Sequence, residues 1–403
     1  MNTERVTEIL RRQGFAALVS TSPIHTRYLL GFESQQGIFS STLKAAVISV
    51  DGRIRRLVCA PAEAGFIVDR GVEHEVEILT YGSHGALIDP ALEVPASDGR
   101  ARDLMLAPSS AGAWEAVGRA LEGLPAGPLL ADSRSTPELV ERLRGLAPAR
   151  AVHPGGQEAV ELARMVKSPT EIALLRRAAE LNATSIADAL ASLGSASEET
   201  VGRRYRSNVA IAGGMVQHWM GIGGRRSGLS RPPVDLVNPQ GERFRFDGGM
   251  ELDGYCGDTG GTVQVGEEPS HAEARVYRAL TRGLVAALEM VRPGTRPSQL
   301  YERLVETVRT EGVPEFAFPL VGHGIGVEQR DLPFVSRRPA PPMDFAPNPF
   351  DPPLETGMVI NLETPWNIVG VGSYQHEVTV AVTPSGFEFL SPLRDYEVVG
   401  RSR

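Results

Sequence analysis

The stretch Arg243 to Val265, RFRFDGGMELDGYCGDTGGTVQV, constrains this chain more than any other, because it reads as a β-hairpin with one aspartate on each arm. Asp253-Gly254 supplies the turn, a dipeptide suited to a tight two-residue connection. Asp247 and Asp258 lie symmetrically about Leu252-Asp253, so the pattern predicts that they face each other across the ladder with Cβ atoms about 4.5–5.5 Å apart. Like charges held in that way are unfavourable unless something positive lies between them, and a divalent cation is the simplest such object. Taken alone, the same pattern also suits a solvated hairpin with two harmless aspartates.

A second arrangement shifts the balance. Gly357 to Val382, GMVINLETPWNIVGVGSYQHEVTVAV, places Glu363 and Glu377 symmetrically about Gly370. Between the two ribbons stands Val321-Gly322-His323-Gly324-Ile325-Gly326, a single histidine flanked by glycines that allow close backbone approach. One imidazole and four carboxylates carry about four negative charges, which two divalent ions would neutralise.

Asp247, Asp258, His323, Glu363 and Glu377, in that order and with the aspartates eleven positions apart, resemble the five metal ligands of the M24 metallopeptidase family. That family includes aminopeptidase P, prolidase, methionine aminopeptidase and the metal-free creatinase. The resemblance covers nearly the whole chain and implies a creatinase-like α/β N-terminal domain followed by an α+β pita-bread catalytic domain. It also implies that Asp258 and Glu377 bridge two ions, that Asp247 completes one, and that His323 with Glu363 completes the other. Manganese, iron, cobalt and zinc all accept this oxygen-rich set with one nitrogen. A homodimer, in which the first domain of one chain narrows the site of the other, follows from the same resemblance.

Length and composition agree with that outline. A chain of 403 residues exceeds one comfortable core and suggests two domains. With 22% charged residues and a net charge of −8, neither a disordered chain nor a nucleic-acid binder is indicated. Cys59 and Cys256 fall in different halves, so a disulfide framework is not expected and a reducing, cytoplasmic setting is. No stretch reaches the roughly eighteen apolar residues of a membrane span.

Along the chain, Met1 to Gly14 reads as an amphipathic helix and Phe15 to Ser20 as a buried strand. The segment Tyr28-Leu29-Leu30-Gly31-Phe32 resembles an "NxxYLTGF" segment of the family, with His25 where asparagine is frequent. Lys44 to Val50 and Arg53 to Ala60 form a hairpin broken at Asp51-Gly52. The segment Ala149 to Gly156, rich in small residues, proline and glycine, marks the domain limits as 1–152 and 153–403. Ser168-Pro169-Thr170-Glu171 is a capping box that opens a long helix, and Ser270 to Glu273 is another. Pro339 to Pro353 reads as a rigid surface loop.

The departures from the peptidase pattern bear on substrate. Family peptidases carry two further histidines that hydrogen-bond the scissile amide. Seven residues after His323 stands Arg330, and sixteen residues before Asp247 stands Arg231, so both appear replaced by arginine, which cannot give up a proton near neutral pH. Arg225, Arg226, Arg231 and Arg330 could form a basic lining for an anionic substrate, although a solvated, salt-bridged rim is the preferred reading for Arg225 and Arg226. His218-Trp219 offers a displaced first histidine or simply a packed pair. In place of a "TRT"-like pattern after the second aspartate stands Thr259-Gly260-Gly261-Thr262.

Three functions fit these residues. The first is a dinuclear metal hydrolase cleaving an amide or peptide C–N bond in a small, amino-acid-derived substrate or short peptide, with Glu363 shuttling a proton to the leaving nitrogen. It would be either Xaa-Pro peptidase-like or a specialised relative resembling ectoine hydrolase. The second is a metal-dependent lyase acting on a small carboxylic acid, similar to dimethylsulfoniopropionate lyase. The third is a silent binding module, against which stand four clustered carboxylates that repel without metal.

Overall fold

The computed structural model describes residues 3–32, 42–83, 89, 91–133, 136–337, 351–392 and 397–399. Contacts divide the chain into two compact units, Met1–Ala163 and Arg164–Arg403. The division therefore follows the helix that starts at Gly156, whereas limits of 1–152 and 153–403 would place that helix in the second unit. Among the described residues no helix is long and apolar enough to cross a membrane.

The first unit is a six-stranded mixed sheet in the order Glu77–Thr80, Arg55–Cys59, Ala45–Ser49, Ala17–Ser20, Leu129–Asp132 and Val152–Pro154. Ala17–Ser20 is buried throughout, as its uninterrupted small and apolar side chains require for a central strand. The Asp51-Gly52 break closes the expected hairpin, with Ala45 paired to Val58 and Ile48 to Arg55. Tyr28 to Leu30 lie in a helix, Pro23–Leu30, that ends on Gly31 in the left-handed region. His25 Nδ1 meets buried Asp132 Oδ2 at 2.7 Å, and Ser20 Oγ donates to the same oxygen.

The second unit starts from the predicted capping box. Ser168 Oγ accepts from Glu171 N, and Glu171 Oε2 accepts from Ser168 N, which settles two of the orphan N–H groups of the helix Pro169–Leu190. Its buried face carries Leu175, Ala179, Ile186 and Leu190. One polar residue on that face, Asn182, donates from Nδ2 to Gly248 O (2.7 Å) and accepts from Tyr205 Oη (2.7 Å). Asn182 thus fixes the helix against the hairpin that bears the aspartates. The second capping box, at Ser270 and Glu273, opens the helix His271–Leu288.

Two sheets hold the site. The first has the order Glu397–Val399, Tyr255–Val265, Arg243–Leu252 and Met215–Gly223. The second has the order Asp331–Ser336, Leu320–Gly324, Val359–Glu363, Glu377–Thr383 and Gly386–Phe389. A bridge between Gly261 and His376 and hydrogen bonds between Thr262 and Gln375 join them. The ribbon Trp366–Ile368 with Gly372–Tyr374 continues the register that pairs Glu363 with Glu377. Residues 338–350, which include most of the proline-rich segment Pro339 to Pro353, lie outside the described residues.

Candidate metal centre

The aspartate hairpin forms where expected, but its register differs from the expected one. Asp253 and Gly254 both take positive φ (50° and 85°), the geometry of a two-residue turn in which Leu252 pairs with Tyr255. Asp247 consequently faces Gly260, and Asp258 faces Gly249. The two aspartates are diagonal neighbours on one face, not a directly opposed pair. Symmetry about Leu252-Asp253 centres the turn one residue too early; with Asp253 and Gly254 as the two turn residues, each cross-strand partner shifts by two.

This offset leaves each carboxylate beside a glycine, so three strands build a checkerboard. One row reads Met220, Asp247, Gly260 and the next reads His218, Gly249, Asp258. A Cβ at Gly260 would run into Glu377 Oε2 and Gln375 Nε2, and one at Gly249 into His218 and Gln329. The glycines are therefore the clearance through which the neighbouring groups reach the aspartates. On the other sheet Glu363 and Glu377 do face each other directly, one step along from the row of His323 and Asn361.

The strand Met215–Gly223 supplies a residue for each of its faces. Trp219 is buried and stacks on Tyr205 with centroids 4.6 Å apart, a contact worth about 0.5–1.5 kcal/mol beyond its burial. His218 points the opposite way, placing Nε2 2.8 Å from Asp247 Oδ1 and 3.6 Å from Asp258 Oδ1. A bulge between Val216 and His218 sets this phase. His218, Asp247 and Asp258 each offer an atom within 4.8 Å of the others.

His323 is buried, and its Nδ1 donates to Gly324 O at 2.9 Å. That bond leaves the Nε2 lone pair directed at Asp258 Oδ2, 3.8 Å away. Burial also pushes the imidazole down to about 4, so the neutral form required of a metal ligand prevails. Asp258 Oδ1 is buried without a hydrogen-bond partner. Burial first, and the Asp247 charge second, push Asp258 up to about 7 and Glu363 up to about 8, while Glu377 is raised by burial and then by the charges of Asp258 and Asp247. Crowded carboxylates that resist ionisation, an orphaned oxygen and a neutral imidazole lone pair fit a divalent cation.

Asp247 behaves differently. Burial opposes its ionisation, yet the His218 hydrogen bond and the Arg245 charge hold it down to about 2. Arg245, two residues earlier on the same face, donates from Nη2 to Asp247 Oδ2 (2.9 Å) and from Nε to Gln375 Oε1 (2.7 Å). Gln375 Nε2 reaches Glu377 Oε2 (3.0 Å) and Asp247 Oδ2 (3.4 Å). Sequence reasoning passed over Arg245 and Gln375. The alternation Arg245-Phe246-Asp247 was a readable signal for the first, whereas Gln375 meets Asp247 only through the joining of two sheets.

Arg330 lies close enough for its charge to act on His218, Asp258, His323 and Glu363. The loop that carries it is tied down on both sides. Gln329 Nε2 donates to His218 Nδ1 and to Gly257 O, both at 3.3 Å. Asp331, buried, accepts from Arg164 and from Lys167 (3.3 Å), and Glu328 accepts from Arg164 (2.6 Å). Arg231 is exposed, and no hydrogen bond or ion pair links it to the carboxylates among the described residues. Arg226 instead pairs with buried Glu198 at 3.6 Å.

The chain is similar to known proteins in sequence and in fold. The chain is 26% identical over 236 residues to an uncharacterized peptidase of Staphylococcus aureus (strain MSSA476), and 24% identical over 246 residues to a Xaa-Pro dipeptidase of Pyrococcus furiosus. Each alignment covers 57% of this chain and 63% of the relative, just under two thirds of the relative's length. The structure resembles a dipeptidase from Pyrococcus horikoshii OT3 (TM-score 0.76, 15% identity, covering 99% of this chain and 100% of the other). It also resembles a dipeptidase from Mycobacterium ulcerans (TM-score 0.74, 22% identity, covering 100% and 98%). These likenesses confirm an N-terminal domain followed by a pita-bread domain. The sequence model of metallopeptidase family M24 matches residues 173–384, a span over half the chain that contains both carboxylate ribbons and His323, and the chain belongs to that family.

Proposed function

We propose that this chain is a metal-dependent hydrolase that cleaves a C–N bond in a small dipeptide-like substrate, with two divalent ions held by Asp247, Asp258, His323, Glu363 and Glu377. The observation that carries the reading is the setting of Asp258, whose Oδ1 is buried without a hydrogen bond, 3.6 Å from His218 Nε2, while His323 turns its Nε2 lone pair toward the other oxygen. Divalent ions bound there supply Lewis acidity and an acidified water. Glu363, facing Glu377 across the ladder, is placed to take a proton from the attacking water and return it to the leaving nitrogen. His218 donates to Asp247 and keeps that carboxylate in one orientation. Arg330 offers a fixed cation to the substrate's free carboxylate, which favours dipeptides and acyl amino acids over longer chains.

Manganese suits this donor set, and the reading includes a cytoplasmic homodimer, in keeping with two buried cysteines that form no disulfide. Light scattering at micromolar concentration tests the dimer. The central test combines elemental analysis with product analysis on a panel of Xaa-Pro dipeptides, other dipeptides and acyl amino acids, before and after chelation. Cleavage that needs the metal supports the proposal. An unsaturated acid released from a small carboxylate substrate would move the assignment to a lyase, and absence of both bound metal and turnover would overturn it.

A further inference from the structure

We propose that Gln329 is a positioning residue of the centre, which fixes His218 in the tautomer that holds its proton on Nε2. His218 then serves Asp247 as a hydrogen-bond donor and is not itself a metal ligand, although one of its nitrogens lies within 4.8 Å of an oxygen of each aspartate. The inference rests on the metal-enzyme reading above and assigns a role to a residue outside its five ligands.

The loop that bears Gln329 lies against the aspartate hairpin, with Cys256 N donating to Gly326 O (2.8 Å) and Gln329 Nε2 donating to Gly257 O (3.3 Å). The second of these bonds orients the amide, because the opposite orientation would set Oε1 against the Gly257 carbonyl oxygen. The same Nε2 lies 3.3 Å from His218 Nδ1, which therefore presents a lone pair to it. A neutral imidazole with a bare Nδ1 keeps its proton on Nε2, and that atom stands 2.8 Å from Asp247 Oδ1 and 3.6 Å from Asp258 Oδ1. Gln329 Oε1 is buried without a partner, so the side chain is held for what it donates and not for what it accepts. Gly249 leaves room for the contact, since a Cβ there would fall on Gln329 Nε2 and on the His218 ring.

His323 shows the opposite arrangement. Its Nδ1 faces an acceptor, Gly324 O at 2.9 Å, and so holds the proton, which frees Nε2 to bind a cation. The centre thus contains two imidazoles in opposite tautomers, each set by the atom that faces Nδ1. A carbonyl oxygen makes His323 a ligand, and an amide N–H makes His218 a donor. Asp247 Oδ1 accepts the bond from His218 and keeps its second lone pair for a metal. The His218 side chain is 32% exposed, so without Gln329 its ring would be free to exchange tautomers and compete for an ion that Asp247 should hold.

The test reads the tautomer directly. Protein with isotopically labelled nitrogen in its eight histidines is loaded with diamagnetic Zn2+, and NMR at mildly alkaline pH separates protonated from bare ring nitrogens. The His218 signals are those absent from His218→Asn. In wild type Nε2 should be protonated and Nδ1 bare. Gln329→Leu removes the donor and should give a mixture of tautomers, whereas Gln329→Glu, of the same size, presents an acceptor and should place a proton on Nδ1. Calorimetric titration of metal-free protein should show Mn2+ affinity about tenfold weaker in Gln329→Leu, the lower end of the roughly 10–100-fold lost when groups that orient metal-site side chains are removed. A protonated Nδ1 in wild type, a His218 pattern unchanged in both folded variants, or unchanged Mn2+ affinity would overturn the inference alone. No binding of Zn2+ or Mn2+ by wild type would overturn the metal-enzyme reading and this inference with it.

Discussion

Replacing Asp331 with asparagine removes one negative charge from the base of the Arg330 loop without opening a cavity. Asp331 faces Arg164 and Lys167, and all three side chains are 2% exposed or less. Removing one partner of a buried ion pair typically costs about 3–5 kcal/mol, because the remaining charge is left without solvent or compensation. Two features place this case at the low end. Burial already holds Lys167 below its ordinary value, against the pull of Asp331, so that in the variant it can shed its proton instead of remaining as an uncompensated ion. Arg164 cannot do so, but it retains Glu328 at 2.6 Å, whose side chain is 40% exposed. The expected loss is therefore about 3 kcal/mol, borne by Arg164. Because two compact units need not unfold together, the measurement requires a probe confined to the second. Trp219 and Trp366 lie there and Trp114 lies in the first unit, so urea unfolding followed by fluorescence in a Trp114→Phe background reports the right transition. A loss below about 1 kcal/mol, the scale of an exposed pair, would refute the view that this cluster anchors the loop.

Three further outcomes follow from the site. Asp258→Ala should lower metal content and abolish turnover together, and a fully metallated, active variant would sink the ligand assignment. Arg330→Ala should raise KM for a carboxylate-bearing substrate roughly tenfold to a hundredfold, the equivalent of about 1.5–3 kcal/mol, with kcat changing less; unchanged steady-state kinetics would make the arginine structural. Metal-free protein should lose stability as pH rises. Asp258 and Glu363 are pushed up in the folded state to about 7 and about 8, so their contribution is complete below the unfolded value of about 4 and lost as pH climbs through about 8. Thermal midpoints of chelated protein across that window, with and without Mn2+, test this, and a chelated protein that is most stable near pH 8 would refute it.

What could be read from the sequence was mostly what is local. Ser168 with Glu171 and Ser270 with Glu273 announce helix starts because a capping box is complete within four residues. Glu363 and Glu377 pair directly, as symmetry about Gly370 predicts, because the intervening ribbon keeps one register on both sides of its turn. The aspartates were misplaced by two positions because the symmetry was centred on Leu252-Asp253, one residue before the Asp253-Gly254 pair that makes the turn. His218 was ambiguous for a different reason. Alternation says that it and Trp219 point opposite ways, but not which of them faces the core, and that depends on contacts with Tyr205 and Asp247 distant in sequence. The Arg330 loop was legible as a departure from the peptidase pattern, while its anchoring by Arg164 and Lys167 joins positions more than 160 residues apart and leaves no local trace.

The bulge between Val216 and His218 acts as a phase setting for the whole edge of the cleft. Were Gln217 to pair with Gly249 in an unbroken ladder instead of being bulged out, His218 would face Gly248, Trp219 would face Asp247, and the two sides of the ribbon would trade places. The indole of Trp219 would then enter among the carboxylates, and the imidazole of His218 would be driven against Tyr205 in the hydrophobic interior. Chemistry and packing are in this way coupled to how a single residue is accommodated. Because the bulge absorbs Gln217, losing that residue should leave both arrangements intact, whereas closing the bulge with Gln217 still present would alter both at once.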